Sequence, residues 1–210
     1  PEPKRRDMAA LFTRVAIETY SAEARPHASL SAPFAKPYGR LDRAVAELAQ
    51  VVGREAAPLP ITEAVYFLTG LYTTLLAARE RGALGAFYTP PALANRLLDM
   101  AEEQGIDWTR ARVLDPASGG GAFLLPAAER MIAALPEAEP AFVLRQIGTR
   151  LVGLELDPYA AGFGQNAIEL LLADVTSAAG RPAPTVVRVA DTLEEAPSAR
   201  FDLVIGNPPY

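Results

Sequence analysis

Residues 111–124 read Ala-Arg-Val-Leu-Asp-Pro-Ala-Ser-Gly-Gly-Gly-Ala-Phe-Leu. A short apolar run ends at Asp115, three glycines occupy positions 119–121, and a second apolar run begins at Ala122. Glycine lets the backbone turn tightly and come close to a ligand, because no Cβ stands in the way. The pattern predicts a strand over 111–115, a glycine turn, and a helix over roughly 122–134.

The same alternation continues along the chain. Short apolar runs predict three further strands, at 151–155, 185–189 and 201–205, and Asp157 and Pro158 predict the start of a helix that ends at about Ala173. Alternating strands and helices indicate an α/β fold, a doubly wound parallel sheet covered on both faces. Ligands of such sheets bind beyond the carboxyl ends of the strands, where the strand order reverses.

An N-terminal helical region, residues 1–84, precedes this α/β domain, residues 85–210. Asp7 is expected to cap a first helix that carries Met8, Leu11, Phe12 and Val15 on one face. A second helix carries Leu41, Val45, Leu48 and Val52 and is expected to stop at Gly53. A third apolar stretch runs from Ile61 to Arg81. We expect this region to be scaffold or a docking surface.

Composition excludes several classes of function. The chain has no cysteine and one histidine, which excludes disulfides, thiolate nucleophiles, and zinc-thiolate or multi-histidine metal sites. We therefore expect no metal. Without a signal peptide or an 18-residue apolar run, we expect a cytoplasmic protein with no membrane partner. The net charge is −5, and no strong basic footprint for nucleic acid is present. If the protein acts on DNA, most of its phosphate-binding surface is expected to lie elsewhere.

The glycine turn differs from both common nucleotide motifs. Leu124 stands where a dinucleotide fingerprint needs its third glycine, and a P-loop would need Gly-Lys-Ser/Thr. An acid at a strand end followed by glycines suits a ligand with an ammonium group and a ribose rather than phosphates. A plain turn before a helix remains the alternative.

Two more acidic residues follow strands. Glu155, at the end of the second strand, can accept hydrogen bonds from both hydroxyls of a ribose, whereas Asp157 is better placed to cap the next helix. Asp191 comes two residues after the third strand and can accept the exocyclic amine of an adenine. A solvated turn aspartate is an equally good interpretation of Asp191.

Asn207-Pro208-Pro209-Tyr210 follows the fourth strand and is the most specific motif. The prolines fix the backbone and hold Asn207 extended, so its side-chain oxygen and the Pro208 carbonyl form a rigid pair of acceptors. Tyr210 adds an aromatic face. An exocyclic amine that donates both protons to this pair would have its lone pair free to attack an electrophilic methyl group.

The stretch Phe87-Tyr88-Thr89-Pro90-Pro91 lies upstream. Thr89 is a good helix N-cap and Pro90 suits the first helical position. A well-capped helix start explains these residues without any ligand.

Taken in order, these motifs resemble those of amino-directed DNA methyltransferases, and the order is similar to that of the adenine-N6 group of restriction–modification systems. The resemblance covers about residues 85–210. It implies a Rossmann-like, class I fold that uses S-adenosylmethionine, with its first four strands present. Three further strands and a target-recognition region would be needed, so we expect residues 1–210 alone to be inactive.

The resemblance also implies residue roles. Thr89, Asp115 and Gly119 would hold the methionine end of the cofactor, while Tyr88, Ala117 and Gly121 belong to the same motifs. Glu155 would bind the ribose, Leu156 would pack on the adenine ring, and Asp191 would accept its amine. The catalytic residues would be Asn207, Pro208, Pro209 and Tyr210, which grip the target base. Thr192 departs from the family's bulkier apolar residue, and Leu193 is expected to substitute.

The implied reaction is methylation of adenine N6 in double-stranded DNA, with a specificity or nuclease domain or subunit as a further partner. Cytosine N4, a ribosomal RNA base and a protein glutamine remain alternative acceptors. The alternative from another class of function, one without catalysis, is a fragment or interaction subunit that binds the cofactor without turnover.

Overall fold

A four-stranded parallel sheet forms the centre of the α/β part. The structure is a computed structural model that describes residues 4–83, 88–194 and 199–208. The strands are β1 (Val113–Asp115), β2 (Leu151–Glu155), β3 (Val187–Val189) and β4 (Leu203–Val204), in the order β3-β2-β1-β4. All three pairings are parallel. The predicted doubly wound sheet is confirmed, and the strand order reverses between β1 and β4.

Helices flank this sheet and form the N-terminal region. They are α1 (Arg5–Ala24), α2 (Arg43–Ala56), α3 (Ile61–Leu75), α4 (Ala78–Ala83), α5 (Pro91–Glu103), α6 (Leu124–Ala133), α7 (Pro140–Arg150), α8 (Pro158–Leu171) and α9 (Ala173–Ala179).

Sequence pattern predicted the elements of the sheet well. β2 has the predicted bounds, and the predicted cap of α8 is confirmed, since the Asp157 side chain accepts a hydrogen bond from the backbone N–H of Tyr159 at 2.9 Å. β1, β3 and β4 are shorter than their apolar runs. The predicted helix end at 173 is instead the start of α9.

Several predictions for the helices were wrong. α1 begins before Asp7, and its buried face includes Ala16, Ile17 and Tyr20, whereas the apolar residues named from the sequence are only half-buried. α2 runs through Gly53, and this glycine lies against α1, where a Cβ would clash with the Ala16 carbonyl oxygen. The third apolar stretch breaks after Leu75 into α3 and α4.

α8 joins two hydrophobic cores. Its inner face, including Ala161 and Ile168, packs with the sheet and with α6 and α7. Its outer face, including Phe163 and Leu170, packs with α1, α2 and α3 in a second core. α8 begins shortly after the carboxylate that ends β2. The N-terminal helices therefore cover the helix next to this carboxylate. In the part of the chain that the structure describes, no helix combines the length and apolar character that crossing a membrane requires.

Candidate active site

A cavity of about 510 Å³ lies beyond the carboxyl ends of the four strands, at the reversal of strand order. Ten of the predicted site residues line it: Tyr88, Thr89, Asp115, Ala117, Gly119, Glu155, Leu156, Asp191, Asn207 and Pro208. Pro209, Tyr210 and Phe87 lie outside the described residues. Motifs spread over 120 residues of sequence are thus brought to one cavity by the parallel sheet.

Thr89 lines this cavity but does not cap the following helix. α5 begins at Pro91, one residue later than predicted, and Pro90 occupies the cap position without a side-chain cap. Thr89 itself is 5% exposed. The Pro-Pro pair therefore sets the start of the helix, and the Thr89 side chain is available to the cavity.

Asp115 is a buried carboxylate with one oxygen paired. Oδ1 accepts a hydrogen bond from the backbone N–H of Ala117 at 3.1 Å, whereas Oδ2 has no hydrogen-bond partner among the described residues. Burial, with a smaller contribution from the negative charge of Glu155, raises the pKa of Asp115 to about 7. A buried acceptor without a donor costs free energy, so this oxygen suits a cationic or hydrogen-bonding ligand.

Glu155 is held in place by backbone donors. Its Oε2 accepts from the N–H of Gly119 at 2.7 Å, and its Oε1 accepts from the N–H of Asp157 at 2.8 Å. Burial raises the pKa of Glu155, and these two hydrogen bonds oppose the increase. A carboxylate has about four lone-pair sites, so each oxygen can still accept one ligand hydroxyl.

The glycine turn makes room for the Tyr88 ring. A Cβ on Gly119 would lie 2.8 Å from Tyr88 Cε1, and a Cβ on Gly120 would lie 2.6 Å from Thr69 Cβ. The Tyr88 hydroxyl is buried without a hydrogen-bond partner in the described residues. The glycines therefore serve the packing of Tyr88 and Thr69, a role that the sequence did not indicate.

Gly121 stands apart from the other predicted cofactor residues. It does not line the large cavity, its φ is +90°, and an added Cβ would lie 3.5 Å from Gly164 Cα in α8. Its contacts are those of a turn packed on a helix. Gly121 thus joins the glycine turn to α8.

The side of the cavity formed by the residues after β2 and β3 combines an apolar and an acidic group. Leu156 is 61% exposed, and Asp191 Oδ1 accepts from the N–H of Leu193 at 3.0 Å. Thr192 donates its hydroxyl to the Pro116 carbonyl at 2.6 Å and so ties this loop to the glycine turn. Leu193 lines the cavity and is 97% exposed, which leaves its apolar surface available there.

Asn207 and Pro208 reach the same cavity from β4. Gly206 precedes them, and a Cβ there would lie 2.7 Å from Asp115 Oδ1. This close approach brings the end of β4 beside the end of β1. The residues predicted to orient an amine therefore face the cavity that holds Asp115 and Glu155.

Two buried polar residues of the cavity, Ser118 and Asp157, were not among the predicted site residues. Ser118 is buried with an Oγ that lacks a hydrogen-bond partner in the described part of the chain, and Asp157 lines the cavity as well as capping α8. The strand-end position of both residues could have indicated them. Within residues 4–83, 88–194 and 199–208, no three His, Asp or Glu side chains come together as a metal site would require.

The curated relatives that this chain matches include two type II methyltransferases. M.XamI of Xanthomonas campestris pv. amaranthicola is 34% identical over 128 residues, which cover 60% of this chain and 19% of the relative. M.PaeR7I of Pseudomonas aeruginosa is 30% identical over 161 residues, which cover 72% of this chain and 27% of the relative. The chain thus matches about a fifth to a quarter of these relatives' length.

A solved structure and a family model add to these matches. The cryo-electron microscopy structure of the DrdV–DNA complex has a TM-score of 0.59 and 19% identity, and the match covers 80% of this chain and 18% of that one. This likeness supports the fold alone. The family model described as N-6 DNA Methylase matches residues 67–210. Because the model spans more than half of the sequence and every predicted site residue, the chain belongs to the N-6 DNA methylase family.

Proposed function

We propose that the protein, in its full length, transfers a methyl group from S-adenosylmethionine to the N6 amino group of adenine in duplex DNA. Family membership and relatives named type II methyltransferases support a role in restriction–modification or a similar defence system. The fold neighbour in complex with DNA is consistent with this substrate. A cytoplasmic location is part of the proposal, since such an enzyme must reach cellular DNA.

The cavity suits S-adenosylmethionine, which supplies an electrophilic methyl group when bound. Asp115 Oδ2, which has no hydrogen-bond partner among the residues that the structure describes, is available to an ammonium group, and Glu155 keeps lone pairs for two hydroxyls. The exposed Leu156 offers a surface for an aromatic ring. Asp191 keeps one carboxylate oxygen, Oδ2, to which no hydrogen bond of the described residues is assigned.

Asn207 and Pro208 would orient the target base. The Asn207 side-chain oxygen and the Pro208 carbonyl oxygen accept the two protons of the amine, which leaves its lone pair directed out of the base plane. Neither residue titrates, so no general base is required at this step. Tyr210 would contribute an aromatic face beside the base. The amine is unreachable inside a duplex, so the base must leave the stack.

One observation carries the proposal: Asn207 and Pro208 line the same cavity as Asp115 and Glu155. A pair of amine acceptors thus faces the proposed cofactor site across the reversal of strand order. DNA phosphates are bound by positively charged surfaces, whereas this chain has a net charge of −5. We therefore propose that the DNA-binding surface lies in other parts of the full-length protein, or in a specificity or nuclease partner.

The decisive experiment is single-turnover transfer of labelled methyl to DNA by the full-length protein, with the product nucleoside identified. Asn207→Ala should slow transfer at least about 10²-fold, the scale for loss of one preorganised polar contact to a transition state. Its affinity for S-adenosylmethionine should be nearly unchanged, because the cofactor residues are intact. Glu155→Ala is the complementary variant and should lose most of this affinity.

Three results would contradict the proposal. Transfer by Asn207→Ala at the wild-type rate would remove this residue from catalysis. N4-methylcytosine as the wild-type product would replace adenine as the acceptor. Transfer to ribosomal RNA or to a protein glutamine, without transfer to DNA, would replace DNA as the substrate.

A further inference from the structure

A polar network connects the N-terminal helices to the start of α8. The Asp157 carboxylate, 4% exposed, is its centre. Arg6 Nη2 lies 2.7 Å from Asp157 Oδ1, and the Tyr72 hydroxyl donates to Oδ2 at 2.6 Å. Arg6 Nε also donates to the Tyr72 hydroxyl oxygen at 3.0 Å. One residue from α1 and one from α3 therefore fix the same carboxylate.

Asp157 also holds Glu155 through its backbone. Its N–H donates to Glu155 Oε1 at 2.8 Å, while its side chain caps α8 by accepting from the Tyr159 N–H. A shift of the buried carboxylate would therefore move the backbone that carries this N–H. The network passes from the N-terminal helices to the carboxylate proposed to bind the ribose.

The chemistry of the network favours a fixed geometry. A buried charge is stable only when it is paired and hydrogen-bonded, and Asp157 receives three donors. Burial and the hydrogen bond to Asp157 raise the pKa of Tyr72 well above its usual value, so its hydroxyl stays protonated and donates. Edge-on packing of the Tyr72 ring on Phe163, with centroids 5.5 Å apart, restricts the ring further.

We propose that Arg6 and Tyr72 are positioning residues for the cofactor site, which act through Asp157 to hold Glu155 in its binding orientation. This inference rests on the proposed function and deepens it. Arg6 lies outside residues 67–210, the part that matches the family model. The N-terminal region thereby contributes to cofactor affinity without touching the cofactor.

The test is calorimetric affinity for S-adenosylmethionine in the full-length protein. Tyr72→Phe keeps the packed ring and removes the hydroxyl, and we expect its Kd to rise about 3- to 10-fold. Tyr159→Phe is the matched control, because the Tyr159 hydroxyl also links α8 to α1, through Asp7 at 2.6 Å, without contacting the Asp157 carboxylate. We expect its Kd to stay at the wild-type value even if its Tm falls.

A double-mutant cycle separates positioning from general stability. In a Glu155→Gln background, Tyr72→Phe should change Kd less than it does in the wild type, since the group it positions is altered. In the methyl-transfer reaction, Tyr72→Phe should raise KM for the cofactor and leave kcat nearly unchanged. Arg6→Gln, at a side chain 33% exposed, provides a second test if Tyr72→Phe does not fold.

The outcomes distinguish the two proposals. Absence of S-adenosylmethionine binding by the wild-type protein would overturn the proposed function. Binding by the wild type, with equal Kd values for Tyr72→Phe, Arg6→Gln and Tyr159→Phe, would overturn the positioning role alone. A Tyr72→Phe effect that persists undiminished in Glu155→Gln would also overturn it.

Discussion

At the scale of single residues, Asp115 shows how the site is built at a cost to stability. Its carboxylate is buried with one oxygen unpaired in the described residues, and burial raises its pKa to about 7. An unfolded aspartate titrates near 4, so keeping Asp115 ionised in the fold is unfavourable above that pH. A ligand that supplied a positive charge would remove this cost. The group that destabilises the protein without ligand is therefore the group that favours binding of a cation.

Asp115→Asn should therefore stabilise the protein without cofactor and weaken cofactor binding. Because the folded pKa is raised, the Asp115 contribution to stability is fully present below about pH 4 and is lost as pH rises through about 7. The gain from Asn should be larger at pH 8 than at pH 5, by about 2–3 kcal/mol, since each pKa unit corresponds to about 1.4 kcal/mol. Urea unfolding of both proteins at the two pH values measures this difference.

Asn keeps the acceptor for the Ala117 N–H and nearly the same shape, so packing changes should be small. An equal stability difference at pH 5 and pH 8 would mean that Asp115 does not titrate as its burial implies. Unchanged affinity for S-adenosylmethionine would separate Asp115 from the proposed site.

At the scale of elements, α8 lies against the glycine turn without an intervening side chain. A Cβ on Gly164 would lie 2.9 Å from the Gly119 carbonyl oxygen and 3.4 Å from the Gly121 nitrogen. Both neighbours are backbone atoms, which cannot rotate away as a side chain would. The Gly119 N–H donates to Glu155, so a displaced turn would disturb the site directly.

We expect Gly164→Ala to destabilise the protein by about 1–3 kcal/mol, the usual cost of overpacking, and to weaken S-adenosylmethionine binding. Gly162→Ala is the matched control in the same helix, since its Cβ would meet Phe34 and Pro33 atoms at an ordinary 3.7 Å. That change should be neutral or stabilising by up to about 1 kcal/mol, because alanine favours helix. Thermal unfolding and calorimetry of both variants would reveal any difference, and identical behaviour would contradict the role of Gly164.

The elements also show what the sequence could predict and why. β2 and the Asp157 cap were predicted because an apolar run and a local hydrogen bond depend on adjacent residues. The sequence predicts Gly53 as a helix end, yet this glycine serves a contact with Ala16, which lies 37 residues earlier. Leu48, on the predicted apolar face of α2, is 55% exposed. Hydrophobic spacing indicates a helix but does not identify the face that finds a partner.

The candidate site also has a part that the sequence predicts and a part that depends on contacts between distant segments. The strand-end carboxylates and Asn207 were predicted to come together because parallel strands end at one edge of the sheet, and the described members do so. Contacts that join distant segments were not predictable, such as Thr192 with Pro116 and Tyr72 with Asp157. These contacts depend on how loops and helices pack in three dimensions, which periodicity does not report.

At the scale of the whole molecule, the N-terminal helices and the α/β part depend on each other through α8. Phe163, Leu170 and Leu125 belong to the core formed with α1 and α3, and all are at most 5% exposed. Two of the three donors to Asp157 also come from these helices. The boundary proposed at residue 84 therefore separates two regions with different sequence patterns, but helices from both regions pack into the same hydrophobic core.

Removal of residues 1–84 should consequently abolish cooperative folding. Exposing a buried Leu or Phe costs about 1.5–3 kcal/mol. The free energy of exposing three such side chains is therefore comparable to the whole free energy of unfolding of a typical domain, about 5–15 kcal/mol. Residues 85–210 alone should show no cooperative thermal transition and should bind a dye for exposed apolar surface, unlike residues 1–210. Co-expression with residues 1–84 is the control and should restore the transition, because the missing cover of α8 is supplied in trans. A cooperative transition of residues 85–210 alone, together with wild-type affinity for S-adenosylmethionine, would show that the α/β part is independent of the N-terminal helices.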